Sequence, residues 1–318
     1  MSKKSMAARR QMREATASGR AGGTRQASRG RTHRRNDRSS GRPWGLISAV
    51  IGVVAAFVIV VIALELSIQG SLKQDTAVLP APTSLVSSIT SVPISTLKAV
   101  GVGTVNNPPV NIPASYKAVA LSSNGLPEVA FVGGEFCPYC ALERWSLVVG
   151  LSQFGKWSNL HLIRSSIYDT PANVPTFSFA YGAKFSSPYL EFVGREFQSN
   201  VSLHHDGAPY ATFQKLSSTL SAAFTNIAGG GYPFTDYAGK LAEVSSSADP
   251  TNVAALAGLS WQEVAQKLRD TKSTVAKDVL GGANYVIAAT CMITGQKPGG
   301  VCNQPYIQSL VQQMEKST

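Results

Sequence analysis

Apolar and polar positions follow several distinct patterns along this chain. Residues 1–42 hold no Phe, Tyr, Val, Ile or Leu. Such a segment cannot bury a core and is expected to be disordered, with the tail ending at about residue 44. Leu46 to Leu64 reverses the pattern: nineteen residues without a charge, mostly Val, Ile, Ala, Leu and Phe. That length crosses a hydrocarbon core as a helix, so residues 45–67 are expected to span a membrane. Residues 68–127 are rich in Ser, Val, Pro and Thr and read as a spacer. Within it Leu85, Val86, Ile89 and Val92 fall at helical spacing. A short helix ending before Pro93 is expected, then a second through Leu97 and Val100 to Gly101. Both are expected to dock their apolar faces on the domain C-terminal to them.

From about Glu128 the pattern is that of an alternating α/β domain, 128–318. A strand at 128–133 precedes a helix from about 138 to 152. Leu160 to Arg164 is expected to be a second strand, parallel to the first. Thr176–Ala180 and Tyr189–Glu196 are expected to form an added hairpin, and about Tyr210 to Ile227 a helix. These fall in an insertion of about 165–230. Then Pro233-Phe234 opens a strand, Gly239 turns the chain, and Lys240–Val244 returns. Ser260-Trp261-Gln262-Glu263 is a capping box opening a helix. A helical extension of about 272–318 completes the chain, with a helix over about 272–294, a turn at Gly299-Gly300-Val301-Cys302 and a last helix from Pro305 through Met314.

Charge sharpens the membrane reading. Residues 1–42 hold thirteen Lys and Arg against Glu14 and Asp37, a net of +11, and the other residues sum to zero. Trp44 sits at the near interface, and the basic flank predicts a cytoplasmic N-terminus. A cleaved leader is disfavoured by the long tail and by the lack of a clean small-x-small site. The expected protein is thus single-pass in the cell membrane, touching lipid through residues 45–67, with everything after about 68 extracytoplasmic. Anionic lipid accounts for the basic tail, so no nucleic-acid partner is expected.

The chemistry centres on Cys137-Pro138-Tyr139-Cys140. Strand, Cys-x-x-Cys, then helix is the layout of a thioredoxin-type redox centre. A helix N-terminus offers unsatisfied N–H groups and a favourable dipole to a thiolate. The thiolate is the form that attacks a disulfide. Cys140, one turn on, is placed to resolve the mixed disulfide, and Pro138 suits the first helical position. Half a zinc site looks the same, but a zinc ribbon needs a second Cys-x-x-Cys or a His pair. The other two cysteines, Cys291 and Cys302, have ten residues between them. They read as a structural disulfide stapling two helices, worth about 2–3 kcal/mol by loop closure. The alternative is a second redox pair relaying electrons to Cys137 and Cys140. An extracytoplasmic setting permits either.

Proline, strand, turn, strand and terminal helix is the second half of a thioredoxin domain, in which a cis-proline faces the cysteines. Pro233 is favoured for that position. Pro175, in Val174-Pro175-Thr176-Phe177, is its rival. Tyr139 and Tyr232 are expected to contact substrate. Glu135, two residues before the nucleophile, is a candidate proton acceptor for Cys140, or else a rim residue or a partner for Arg144. Trp145 reads as core. His204-His205-Asp206 reads as a polar loop, and no metal site or cofactor is expected.

The run Glu135-Phe136-Cys137-Pro138-Tyr139-Cys140-Ala141-Leu142-Glu143-Arg144-Trp145, with Leu151-Ser152-Gln153-Phe154-Gly155, Phe177-Ser178-Phe179 and Pro233-Phe234, resembles an archaeal and actinobacterial membrane-anchored family. That family is catalogued as domain of unknown function number 929. The resemblance covers roughly residues 80 to 310, implies a thioredoxin-like fold and implies no established activity. The Cys-Pro-Tyr-Cys tetrad is also that of glutaredoxins, which bears on Cys137 and Cys140 only. The expected function is a membrane-anchored extracytoplasmic thiol–disulfide oxidoreductase acting on protein thiols and disulfides, with a redox partner left open. The alternative is a copper- or metal-handling or assembly factor holding Cu(I) between soft thiolates without redox turnover.

Overall fold

The computed structural model describes residues 74–116, 118–247 and 250–316. The basic tail and the span expected at 45–67 lie outside the described residues. Among the described residues no helix is long and apolar enough to cross a membrane.

The chain is a mixed α/β protein built on a mixed sheet. Its main strands are β1 (Val110–Asn111), β2 (Leu126–Gly134), β3 (Glu191–Ser202), β4 (Tyr210–Thr212), β5 (Phe234–Tyr237) and β6 (Leu241–Val244). Across the sheet they run β4-β3-β2-β5-β6-β1, and Ser122–Ser123 pairs with the start of β2. β2 and β3 are parallel, with Val129 opposite Phe192. β5 is antiparallel to β2, with Phe234 opposite Val132. β2 shows why a strand forms here: its successive residues point to opposite faces. Val129 and Phe131 enter one core, and Ala130 and Val132 enter another.

The first face is covered by α3 (Pro138–Leu151), α5 (Trp261–Lys267) and α6 (Thr274–Ile293), and the second by α4 (Ser218–Ala228). Every residue of α3 except Tyr139 is buried, so this helix is apolar nearly all round and belongs to the interior. α6 presses close. A Cβ on Gly150 would lie 2.9 Å from the Ala283 carbonyl oxygen, and one on Gly282 would lie 2.5 Å from Ser146 Oγ. Only glycine permits that approach. In the last turn of α6, Cys291 is bonded to Cys302, with Cα atoms 5.5 Å apart. α7 (Pro305–Lys316) then packs Ile307, Leu310, Val311 and Met314 inward.

The segment expected as a spacer is folded into this body. α1 (Thr83–Thr90) buries Leu85 and Ile89, and α2 (Ile94–Val100) buries Leu97. Asn284 of α6 donates to the Leu97 and Gly101 carbonyls at 2.8 and 2.7 Å, satisfying the open end of α2. The folded unit therefore begins by residue 74, not near 128.

The middle of the chain differs from expectation in register. His161–Arg164, expected parallel to the first strand, lies in a separate antiparallel sheet between Leu79–Pro80 and Pro175–Ser178. The parallel neighbour of β2 is β3, which sequence patterning places in an added hairpin. The stretch expected as an insertion, about 165–230, thus contributes β3 and β4 to the main sheet and α4 to its second face. Short apolar runs carry no label for the sheet they join. β3, with polar side chains at Glu191, Arg195, Glu196 and Gln198, lacks the continuous apolar look of a buried parallel strand. The helix expected from about Tyr210 starts only at Ser218, capped by Ser217, because Tyr210–Thr212 pairs with β3 instead.

Two outcomes are expected. Ile89→Ala and Leu97→Ala should each lower unfolding free energy in denaturant titrations by about 2–5 kcal/mol, as for deep core truncations; a stalk would show no change. Replacing both Cys291 and Cys302 by Ser should cost about 2–3 kcal/mol, the loop-closure value for a short loop.

Candidate active site

β2 ends at Gly134, and α3 starts four residues later. Cys137 is the N-cap of α3, in extended conformation, and Pro138 occupies the first turn. The Cys137 sulfur accepts the Cys140 N–H at 3.3 Å. Both cysteines are unbonded thiols. Cys137 retains 5% exposure and Cys140 none. The two are driven apart. A hydrogen bond from the Cys140 side chain, helped by its backbone N–H, holds the Cys137 thiol below its ordinary value against the opposing effect of burial. Burial first, then Cys137, pushes the Cys140 thiol well up.

Aromatic side chains wall this turn. Phe136 stacks on Tyr210, centroids 4.1 Å apart, and meets the edge of Tyr232 at 5.7 Å. Ser166 donates its N–H to the Phe136 carbonyl at 2.8 Å. Tyr232 donates to Gln198 Oε1 at 3.3 Å. Burial raises its phenol, and Cys140 and Cys137 add to that. Tyr139 is half-buried against the core. Of the two competing prolines, Pro233 follows a cis peptide bond from Tyr232 and precedes Phe234, which pairs with Val132. Pro175 lies along α3: its carbonyl accepts the Trp145 indole N–H at 2.9 Å, and Thr176 Oγ1 donates to the Ala141 carbonyl at 2.9 Å. Trp145 is fully buried.

Glu135 points inward. It is 1% exposed and accepts a hydrogen bond from Ser178 Oγ at 2.7 Å. Burial, reinforced by Glu196, raises its carboxyl to about 7. Its neighbour Arg144 pairs instead with Glu196, at 2.9 and 2.6 Å, and donates to the Gly134 carbonyl at 2.8 Å. Sequence reasoning missed this ion pair. The signal was present: Glu143-Arg144 interrupts a helix apolar on every other face, and a buried charge needs a partner. It also missed Tyr210 and Ser166, which nothing local marks. Glu143 and Glu243 of β6 are buried beside each other; burial raises Glu143 to about 7, and burial followed by the neighbouring Glu143 raises Glu243 well above its ordinary value. His204, His205 and Asp206 are exposed in the turn between β3 and β4. Cys291 and Cys302 lie apart from this site, at the far end of α6. Among the described residues no three His, Cys, Asp or Glu side chains group as a metal site.

Fold and site together define an α/β protein whose central buried helix starts on a Cys-Pro-Tyr-Cys turn. A family model described as Domain of unknown function (DUF929) matches residues 113–292. That is more than half of the chain, which belongs to this family. No curated protein and no solved structure matches it.

The raised carboxyls set a pH dependence. Glu143 titrates near 4.5 when unfolded and near 7 when folded. The neutral form is the one the fold favours, so its stabilising effect is complete below about 4.5 and lost as pH rises to about 7, at up to about 1.4 kcal/mol per pH unit. Denaturant titrations should show stability falling from pH 5 to pH 7, and Glu143→Gln should make that slope shallower without abolishing it, because Glu135, Asp236 and Glu243 are also raised by burial. An unchanged slope in the variant would refute the assignment.

Proposed function

We propose that this chain is a membrane-anchored, extracytoplasmic thiol–disulfide oxidoreductase with a thioredoxin-like domain. The observation that carries the reading is the asymmetry of the cysteine pair. One sulfur caps a helix and is held towards thiolate; the other is a turn deeper, sealed from solvent and held as thiol. The strand order β3-β2-β5-β6, with β2 and β3 parallel and the rest antiparallel, supports the thioredoxin-like assignment, as does the position of Tyr232-Pro233 beside the cysteines.

In the proposed reaction the Cys137 thiolate attacks one sulfur of a substrate disulfide. A mixed disulfide forms, and the substrate's other sulfur leaves as thiolate, taking a proton from water. Cys140 then gives up its proton, for which Glu135 is the candidate acceptor, and attacks the Cys137 sulfur. The second substrate thiolate leaves. The substrate has gained two electrons, and Cys137–Cys140 has lost them. Run backwards, the same steps oxidise a dithiol. Arg144 fixes the Gly134 carbonyl at the base of the turn, while Tyr139, Tyr232 and Pro233 border the substrate. Glu135, with a carboxyl near 7, is suited to accept and return a proton at neutral pH.

Cys140→Ser should accumulate mixed disulfides with protein partners on non-reducing gels, and Cys137→Ser should not. Iodoacetamide at pH 6 should label Cys137 several-fold faster than an ordinary thiol. Equal labelling, with no trapped partner, would favour a Cu(I)-holding thiolate pair, which copper titration of the same protein then tests directly.

A further inference from the structure

Arg144 stands behind the cysteine turn with no exposure to solvent. It follows Cys140 by four residues in α3, so the two side chains leave the same side of the helix one turn apart. The Gly134 carbonyl ties it to the other cysteine as well. That oxygen accepts the Cys137 N–H at 3.1 Å and Arg144 Nη2 at 2.8 Å.

The guanidinium is only partly engaged. Nε and Nη2 bond Glu196 at 2.9 and 2.6 Å, while Nη1 is buried without a hydrogen-bond partner. Glu196 in turn divides its charge, because it also accepts the Phe179 N–H at 3.1 Å. A sealed N–H group with no acceptor is costly and calls for an explanation. Guanidinium offers five N–H donors and keeps its charge at any ordinary pH. Here it retains capacity for a second anion.

Such an anion arises beside it when Cys140 loses its proton. Burial, then Cys137, holds Cys140 as a thiol, and the first influence opposing them is Arg144. The effect is mutual: burial works against the guanidinium charge, while Glu196 and then Cys140 sustain it. The other titratable groups around the pair are Glu135 after β2, Glu196 on β3, Asp169 and Tyr232. All of these are acids, and their negative forms disfavour a thiolate. Arg144 is the cation among them.

We propose that Arg144 stabilises the negative charge that forms on Cys140 in the resolving step, and that Glu196 limits this effect by neutralising part of the guanidinium. The inference deepens the oxidoreductase reading and rests on it. In that step the Cys140 thiolate attacks the Cys137 sulfur of the mixed disulfide. The Cys137–Cys140 bond forms, the bond from Cys137 to the substrate sulfur breaks, and that sulfur leaves with the electron pair. Arg144 keeps its protons throughout.

The test mixes the full, reduced chain with dithiobisnitrobenzoate in a stopped-flow instrument. The first thionitrobenzoate released reports attack by Cys137, and the second reports resolution by Cys140. The rate of the second release is followed against pH. Glu196→Gln should shift that profile to lower pH by about one unit. It should speed the second release at pH 7 only several-fold, because a less basic thiolate is also a weaker nucleophile. Arg144→Met combined with Glu196→Gln should shift the profile the opposite way and slow the second release several-fold. The combined variant leaves no unpaired charge in the interior, so its folding does not depend on the ion pair. An ion pair that only supports the fold would not move the profile in opposite directions. Profiles that coincide with the wild type, or that move the same way in both variants, would overturn the proposal. Two normal releases with unmoved profiles sink this inference and leave the oxidoreductase reading standing. Absence of a second release in the wild type sinks both.

Discussion

Helix α3 has to be buried on almost every side, and its first turn has to remain usable. The two demands meet at Cys137. Burying the helix removes water from its N-terminal N–H groups, which then need an acceptor. The Cys137 sulfur supplies one, from the Cys140 N–H. The interaction that closes the helix is therefore the one that favours negative charge on the sulfur. β2 delivers the turn, α6 and the Pro175–Ser178 strand clamp α3 behind it, and Gly150 and Gly282 let that clamp close.

The same burial forces the ionisable groups into arrangements. Arg144 has no exposure and carries its charge against Glu196 and the Gly134 carbonyl. With Glu196 occupied by Arg144, Glu135 is left beside a second carboxylate in a dry site, and its carboxyl rises to about 7. Glu143 and Glu243 have only each other and nearby polar groups, and both rise. Burial and the closeness of carboxyl to carboxyl thus leave raised carboxyls on two sides of α3. Only the Glu135 side borders the cysteine turn.

Much of this was legible along the chain. The β2 strand, the Cys-Pro-Tyr-Cys turn, the Ser260–Glu263 capping box and the long helix ending near Cys291 follow from local periodicity and capping chemistry, which act between residues a few positions apart. The two small helices at 83–100 were legible as helices from their spacing. Their inclusion in the body was less so, because Pro and Ser enrichment looks the same in a spacer and in a packed, turn-rich segment. The His161–Arg164 and Glu191–Ser202 strands could be recognised as β-rich, but not assigned to their sheets. Pairing partners are chosen by non-local hydrogen bonds and by which faces remain to be covered.

By itself the sequence determined which residues could do chemistry: a Cys-x-x-Cys at a helix start, with a carboxylate two residues before it and a tyrosine–proline pair far downstream. It also determined the charge asymmetry of the two ends of the chain. Only the tertiary structure decided which groups stand together. It set Arg144 on Glu196 rather than Glu135, stacked Tyr210 on Phe136, turned Tyr232 edge-on to the same ring, and laid Pro175 along α3. The reason is physical. Side-chain type and local spacing act over one or two helical turns, whereas desolvation and ion pairing depend on every element that packs around a group, and those elements come from all parts of the chain.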